Sequence, residues 1–333
     1  MPADIYLLDM YCQIMHSQGE DQMIHLPLVS KESEHICLPL VVNVISKYWG
    51  EDINPDEADQ AAGKYSDVRG TIMIEGIELA ERHRLVSYIY KGSLKDIKKR
   101  IDQGIPPIVI MPGIQETVQH ASIVCGYSND ERRIFTYVPE PDTIGAIPES
   151  MFKNDWEQED FITIVIVPKD IGELLDKENL MFRDSNRVCF KVEKMKRQVP
   201  VDEVIKNLKL ALNKEPDNAQ GWYILGSLYN DRNMAECIDY YEKAISLNPK
   251  CFLAHRGLGN YYLKNKEFHK AEDQYSKAIS INARRYGSIY KNRAVARTEI
   301  GKNLEAKQDL IEYLAQIPNA HDRASIEEAI RQS

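Results

Sequence analysis

The stretch Trp222-Tyr223-Ile224-Leu225-Gly226-Ser227-Leu228-Tyr229 is answered 33 residues downstream by His255-Arg256-Gly257-Leu258-Gly259-Asn260-Tyr261-Tyr262. Tyr241-Glu242-Lys243-Ala244-Ile245 is followed 34 residues on by Tyr275-Ser276-Lys277-Ala278-Ile279. Apolar and small residues recur in each stretch at helical spacing, so each reads as a helix that buries one face. A third, weaker copy runs from Tyr290-Lys291-Asn292-Arg293-Ala294 through Gly301 and Ala306 to Pro318. It has Ala294 in place of the glycine and Tyr313 in place of the second alanine. Half a copy precedes the first, at Leu208, Ala211, Leu212 and Pro216. The small residues allow close approach and the prolines stop the chain before the next helix pair, which predicts a stacked array over 202–333. Its tail, Ala324 to Ile330, reads as an amphipathic capping helix.

The aromatic-x-x-Leu-Gly-x-x-Tyr and small-x-x-x-aromatic-x-x-Ala patterns resemble the tetratricopeptide repeat (TPR), with about three copies here. The resemblance implies an all-α array that binds a protein or peptide in a groove lined by its first helices. At those positions stand Tyr223, Ser227, Arg256, Asn260, Lys264 and Lys291. Arg256 and Asn260 are one turn apart and suit a carboxylate or an acidic segment. Tyr229, Tyr241, Tyr262 and Tyr275 read as core.

Outward from the array the composition changes. The chain has 333 residues and a formal net charge of -9, so bulk charge does not favour nucleic acid. Residues 1–170 hold 15 basic against 28 acidic side chains, and the remainder 27 against 23. Net charges of -13 and +4 predict two units with different surfaces. No apolar run reaches the roughly 18 residues of a membrane span. Met1 to Met15 lacks the basic start of a signal peptide. Six cysteines are scattered without a CxxC pair, which predicts reduced thiols in a cytoplasmic protein.

Residues 1–168 read as a mixed domain. Strands are expected at Leu26–Val29, Val86–Tyr90, Pro107–Met111 and Phe161–Val167, and a hairpin at His120–Gly126 and Ile134–Val138. Helices are expected from Pro39 to Trp49 (ended by Gly50), after the Asn54-Pro55 cap, from Thr71 to His83, and after Ser93 up to Gly104. Helices first and antiparallel strands after them predict an α+β fold. Residues 169–201, polar and with a basic run at Lys191–Arg197, read as a linker or a docking segment.

Cys37 stands just before the first core helix, where partial positive charge and free N–H groups lower a thiol pKa. His120 opens the hairpin. A thiol at a helix start and an imidazole on a later strand suit nucleophilic acyl chemistry.

Around these residues a second resemblance emerges. Cys37-Leu38-Pro39-Leu40 to Tyr48-Trp49-Gly50 is similar to the start of the bacteriocin-processing, double-glycine leader peptidases, a papain-like family. Gln103-Gly104-Ile105-Pro106-Pro107-Ile108-Val109, His120-Ala121-Ser122-Ile123-Val124-Cys125-Gly126-Tyr127 and Trp156 with Phe161–Pro168 resemble its later segments, in order. The resemblance implies a prokaryotic cysteine peptidase with Cys37 as nucleophile, His120 as general base and no cofactor.

Three positions depart from the family. Lys31 replaces the oxyanion-hole Gln, Val138 the Asp that orients the imidazole, and Leu38 the Gly after the nucleophile. An oxyanion donor is worth roughly 10²–10³ in rate, and an orienting carboxylate up to about 10⁴. Lys31 can still donate a hydrogen bond, and Glu140 or Asp142 can reach back toward the ring. Three functions therefore compete: hydrolysis of a peptide or amide through a Cys37 thioester, acyl transfer on the same pair, and a degenerate pseudoenzyme that only binds. A metal site is disfavoured. His120 and Cys125 are five apart, which in a regular strand places them on opposite faces.

Overall fold

The computed structural model describes residues 21–27, 37–51, 53–64, 73–113, 119–138 and 143–332. The chain forms two compact units, which divide between residues 204 and 205.

The first unit is built on a sheet. In chain order it contains β1 (Gln22–Met23), α1 (Cys37–Tyr48), α2 (Pro55–Gly63), α3 (Met73–Arg82), β2 (Leu85–Lys91) and α4 (Leu94–Asp102). Then come β3 (Ile108–Pro112), β4 (Gln119–Ser128), β5 (Arg133–Val138), β6 (Thr143–Pro148), α5 (Glu149–Glu157) and β7 (Ile162–Pro168). The strands lie in the order β2-β7-β3-β4-β5-β6, with β1 also paired to β4. β7 runs antiparallel to both β2 (Ile89↔Ile164) and β3 (Ile108↔Ile164). β4, β5 and β6 form successive hairpins.

Local chemistry sets the helix ends. Gly50 takes φ +79 after α1, and its N–H returns to the Lys47 carbonyl at 3.0 Å. Glycine enters this left-handed region without steric cost. Ser93 caps α4 by accepting the Asp96 N–H at 3.1 Å, and Gly104 ends it at φ +72. Asn54 caps α2 by accepting the Asp56 N–H at 2.9 Å.

Two cores sandwich the sheet. On one face Val41, Val44 and Ile45 of α1 and Ile74 and Ile77 of α3 pack with Ile108, Ala121, Ile123 and Ile164. On the other, Ile97 and Ile101 of α4 and Phe152 and Trp156 of α5 pack with Val109, Val124 and Tyr127. Fully burying such an aliphatic or Phe side chain stabilises by about 1.5–3 kcal/mol. Trp49 donates to the Ile166 carbonyl at 2.8 Å and Tyr48 to that of Gly104 at 2.8 Å, fixing the end of α1.

The sequence expectation differs from the structure in three places here. The first strand is Gln22–Met23, not Leu26–Val29: Leu26 and Pro27 are outside any strand, and Val29 is outside the described residues. The strand β6 is unexpected, because a glycine and flanking prolines mask its period. A bulge between Val124 and Gly126 shifts the β4–β5 register, so strict alternation does not run through Cys125.

The stretch after residue 168 is folded onto this unit. It contributes α6 (Lys169–Leu175) and α7 (Arg183–Met195). Arg187 pairs with Glu81 at 2.7 Å, Lys194 pairs with Glu75 at 3.3 Å and also with Glu78, and the Lys91 N–H donates to the Met181 carbonyl at 2.9 Å. Fully buried Arg100 of α4 holds Glu178 at 2.8 Å and Asp96 at 3.2 Å.

The second unit is all helix. It comprises most of α8 (Val201–Lys214), then α9 (Ala219–Asp231), α10 (Cys237–Leu247), α11 (Phe252–Lys264), α12 (Phe268–Ile281), α13 (Ser288–Glu299), α14 (Asn303–Gln316) and α15 (Arg323–Gln332). Each of the first two repeats puts a tyrosine of its second helix against a glycine of its first. A Cβ on Gly226 would lie 2.7 Å from the Tyr241 ring, and one on Gly259 would lie 2.6 Å from that of Tyr275. Gly257 of the following repeat closes on the same Tyr241 ring. These glycines thus make room for a ring rather than for a neighbouring backbone.

Candidate active site and binding groove

Cys37 is the first residue of α1. That end of a 12-residue helix carries unsatisfied N–H groups and partial positive charge, which favour a thiolate. α1 packs against β4, whose second residue is His120. His120 is half-buried, and the next residue, Ala121, belongs to the core that α1 shares. Lys31, Glu140 and Asp142 lie outside the described residues, as does the Cys37 side chain. Val138 ends β5 opposite Thr143.

Helix position alone does not activate a thiol, since buried Cys237 also begins a helix, α10. Cys125, Cys189, Cys237 and Cys251 are all buried. Burial pushes the Cys125 and Cys237 thiols up to about 12, leaving them almost wholly protonated at neutral pH. Cys125 points at the Phe135 carbonyl, 3.5 Å away. Among the described residues no cluster of three His, Cys, Asp or Glu is placed to hold a metal ion.

Sequence reasoning overlooked one feature beside His120. Gln119 donates to the carboxylate of Glu159 at 2.5 Å, and Glu159 is only 1% exposed. The two residues are 40 apart in sequence, so no local pattern links them.

In the repeat unit the six expected groove residues occupy the first helices α9, α11 and α13. Arg256 lies 3.9 Å over the Tyr286 ring and forms no ion pair among the described residues. Lys264 is exposed two turns along the same helix. Asn260 accepts from the Tyr275 hydroxyl at 2.8 Å and from Asn292 at 3.5 Å. Lys291 is paired with Asp322 at 2.8 Å. The Asp322 carboxyl also accepts from Tyr313, and the Lys291 hydrogen bond holds it below the usual carboxylate range. Ser227 hydrogen-bonds Tyr241, and the Tyr223 ring is 6.3 Å from that of Tyr241. Arg256 and Lys264 are therefore the basic groove residues without a carboxylate partner among the described residues.

Residues 23–163 match the Peptidase_C39 like family, and residues 219–251 and 257–285 match the tetratricopeptide repeat. The chain carries a peptidase-like domain of this family followed by TPR repeats.

Solved structures similar to parts of it fall into the same two groups. A double glycine motif protease from an AMS/PCAT transporter, in complex with its leader peptide, is 15% identical with a TM-score of 0.34. It covers 46% of this chain and 96% of its own. The MamA protein is 20% identical with a TM-score of 0.39, covering 44% of this chain and 78% of its own. A thermophilic TPR protein in Thermus thermophilus is 19% identical with a TM-score of 0.38, covering 48% and 86%. No curated protein matches the chain. No helix among the described residues of the peptidase-like domain or the TPR unit is long and apolar enough to cross a membrane.

Proposed function

We propose that the peptidase-like domain hydrolyses a peptide or amide bond through Cys37 and His120, on a protein or peptide recruited by the TPR unit. The observation that supports this is the placement of Cys37 as the first residue of α1, with α1 packed on the strand that bears His120. In this reading the Cys37 sulfur attacks the acyl carbon and His120 takes the thiol proton. The imidazolium gives that proton to the leaving amine as the C–N bond breaks. Water, deprotonated by His120, then attacks the thioester, and the carboxylic acid leaves as the thiol re-forms. The recruited segment is acidic, because Arg256, braced on Tyr286, presents a guanidinium without a carboxylate partner.

One observation favours a second reading, a peptidase-like domain that binds without cutting. Lys31, Leu38 and Val138 stand where the double-glycine leader peptidases have Gln, Gly and Asp.

Iodoacetamide alkylation of the full chain separates the two. In the catalytic reading Cys37 is alkylated at least tenfold faster than the other five thiols, Cys37→Ala removes the fast phase, and His120→Ala slows it. A Cys37 no faster than the rest overturns the activated nucleophile. Acidic peptide binding to the array should weaken about tenfold in Arg256→Ala, the size expected for one charge-assisted contact.

A further inference from the structure

We infer that Glu159 and Gln119 form a buried clamp that positions His120, making Glu159 a positioning residue for the Cys37–His120 pair. The inference rests on the proposed function for its meaning. The clamp itself rests on the loop that joins α5 to β7.

That loop holds three consecutive buried polar residues, Gln158, Glu159 and Asp160. Asp160 and Phe161 take φ of 52 and 57 in succession, and neither is glycine. Two adjacent left-handed residues with Cβ atoms, one of them aromatic, persist only where their surroundings over-determine them. The surroundings here are explicit. Lys91 grips Asp160 at 2.6 Å, the Trp156 indole donates to the Ile162 carbonyl at 3.0 Å, and the Gly92 N–H donates to the Phe161 carbonyl at 2.9 Å. Gly92 leaves no room for a Cβ beside Thr163 and Trp156. A plain connection needs none of this.

What the loop delivers is the Glu159 carboxylate, held to the Gln119 amide at 2.5 Å. Gln119 is the first residue of β4 and His120 the second. A strand's first residues fray unless tied down, and here a hydrogen bond to the buried carboxyl group of Glu159 ties them. The clamp therefore fixes the backbone from which the imidazole projects. It matters the more because Val138 replaces the carboxylate that the leader peptidases use to orient that ring.

The test uses the full chain and the His120 imidazole Cε1–H resonance, assigned by its loss in His120→Asn. Glu159→Ala should move this resonance and shift its titration midpoint by about half a pH unit or more, a displacement within the ordinary range of environmental effects. Glu159→Gln keeps an acceptor for Gln119 and should restore the wild-type signal. Gln119→Met should reproduce the effect of Glu159→Ala. The His83 resonance, whose ring meets Glu57 at 2.9 Å, should stay fixed in all three.

An unchanged His120 signal in Glu159→Ala and Gln119→Met overturns the clamp. So does movement of all histidine signals together, or failure of Glu159→Gln to restore. If Glu159→Ala does not fold, Gln119→Met and Glu159→Gln decide alone. Failure of the proposed function appears elsewhere, as Cys37 alkylation indifferent to His120→Ala.

Discussion

Two repeats of the array are closed by rings and the third by charge. Tyr241 and Tyr275 lie against Gly226 and Gly259 and carry no ion pair. In the third repeat Arg293 stands where Leu225 and Leu258 stand, and Arg297 where Tyr229 and Tyr262 stand. The buried residues of α14 are Ala306, Asp309, Tyr313 and Leu314. Asp309, 3% exposed, takes a fork of two hydrogen bonds from Arg293 at 2.7 and 2.9 Å and one from Arg297 at 2.9 Å. Glu272 receives Arg297 at 3.2 Å and Lys302 at 2.7 Å. An open surface cleft of about 320 Å³ is lined by these arginines and Asp309 together with Tyr290, Glu305, Gln308 and Glu312. Ionic closure thus keeps the helix pair with matched charges where the first two repeats use a ring against a glycine. The same backbone geometry is reached by two chemistries, provided that every buried charge is matched.

The largest expected effect breaks that match. Asp309→Ala leaves Arg293 and Arg297 largely buried around a missing carboxylate. The expected loss is about 3–5 kcal/mol, the usual cost of halving a buried ion pair. Amide hydrogen exchange should show it as lost protection in α13 and α14. Replacing Arg293 and Asp309 together by Leu restores an apolar contact. It should come within about 1 kcal/mol of wild type or exceed it. An Asp309→Ala protein as stable as wild type would mean that the network is only decoration on a packed pair.

The next effect tests the ring side. Gly257→Ala places a Cβ against the Tyr241 ring, which Gly226 blocks from behind. Overpacking costs about 1–3 kcal/mol, and the helix preference for Ala over Gly returns up to about 1. The net is a loss of roughly 1–2 kcal/mol in thermal unfolding of the repeat unit. A gain would show that Tyr241 has somewhere to go.

This difference also marks what the sequence made legible. The ring-on-glycine repeats announce themselves because the packing residues are local and periodic: Gly226 and Tyr241 lie within one repeat and recur in the next. Arg293 and Asp309 break the pattern, and their pairing is visible only once α13 and α14 face one another. The peptidase-like domain follows the same division. Gly50, Ser93 and Gly104 mark element ends through local backbone chemistry, so their helices were readable. The strand β6 is hidden by its glycine and prolines, the Cys125 bulge by a register shift inside a hairpin, and the Glu159 clamp by a partner 40 residues away. The segment after residue 168 was open between linker and docking segment for the same reason: Arg187 meets Glu81 across 106 residues. Cys37 and His120 were legible as candidates from their places at a helix start and a strand start.

The smallest effect lies where the third repeat meets the groove. The Asp322 carboxyl is held down chiefly by its hydrogen bond from Lys291. A carboxyl depressed on folding adds stability above its unfolded pKa, and the contribution drains as pH falls through its folded value. Asp322→Asn should therefore flatten the acid limb of the stability profile and leave its alkaline side unchanged. At neutral pH the loss should be roughly 0.2–1 kcal/mol, because both partners are partly exposed. The variant also frees Lys291, and here the first two repeats can be set against the third as binders. An acidic peptide that reaches the third repeat should bind Asp322→Asn more tightly than wild type in a titration at low salt. One held by Arg256 and Lys264 alone should bind both proteins equally, which would confine recruitment to the second repeat and leave the ionic third repeat as a cap.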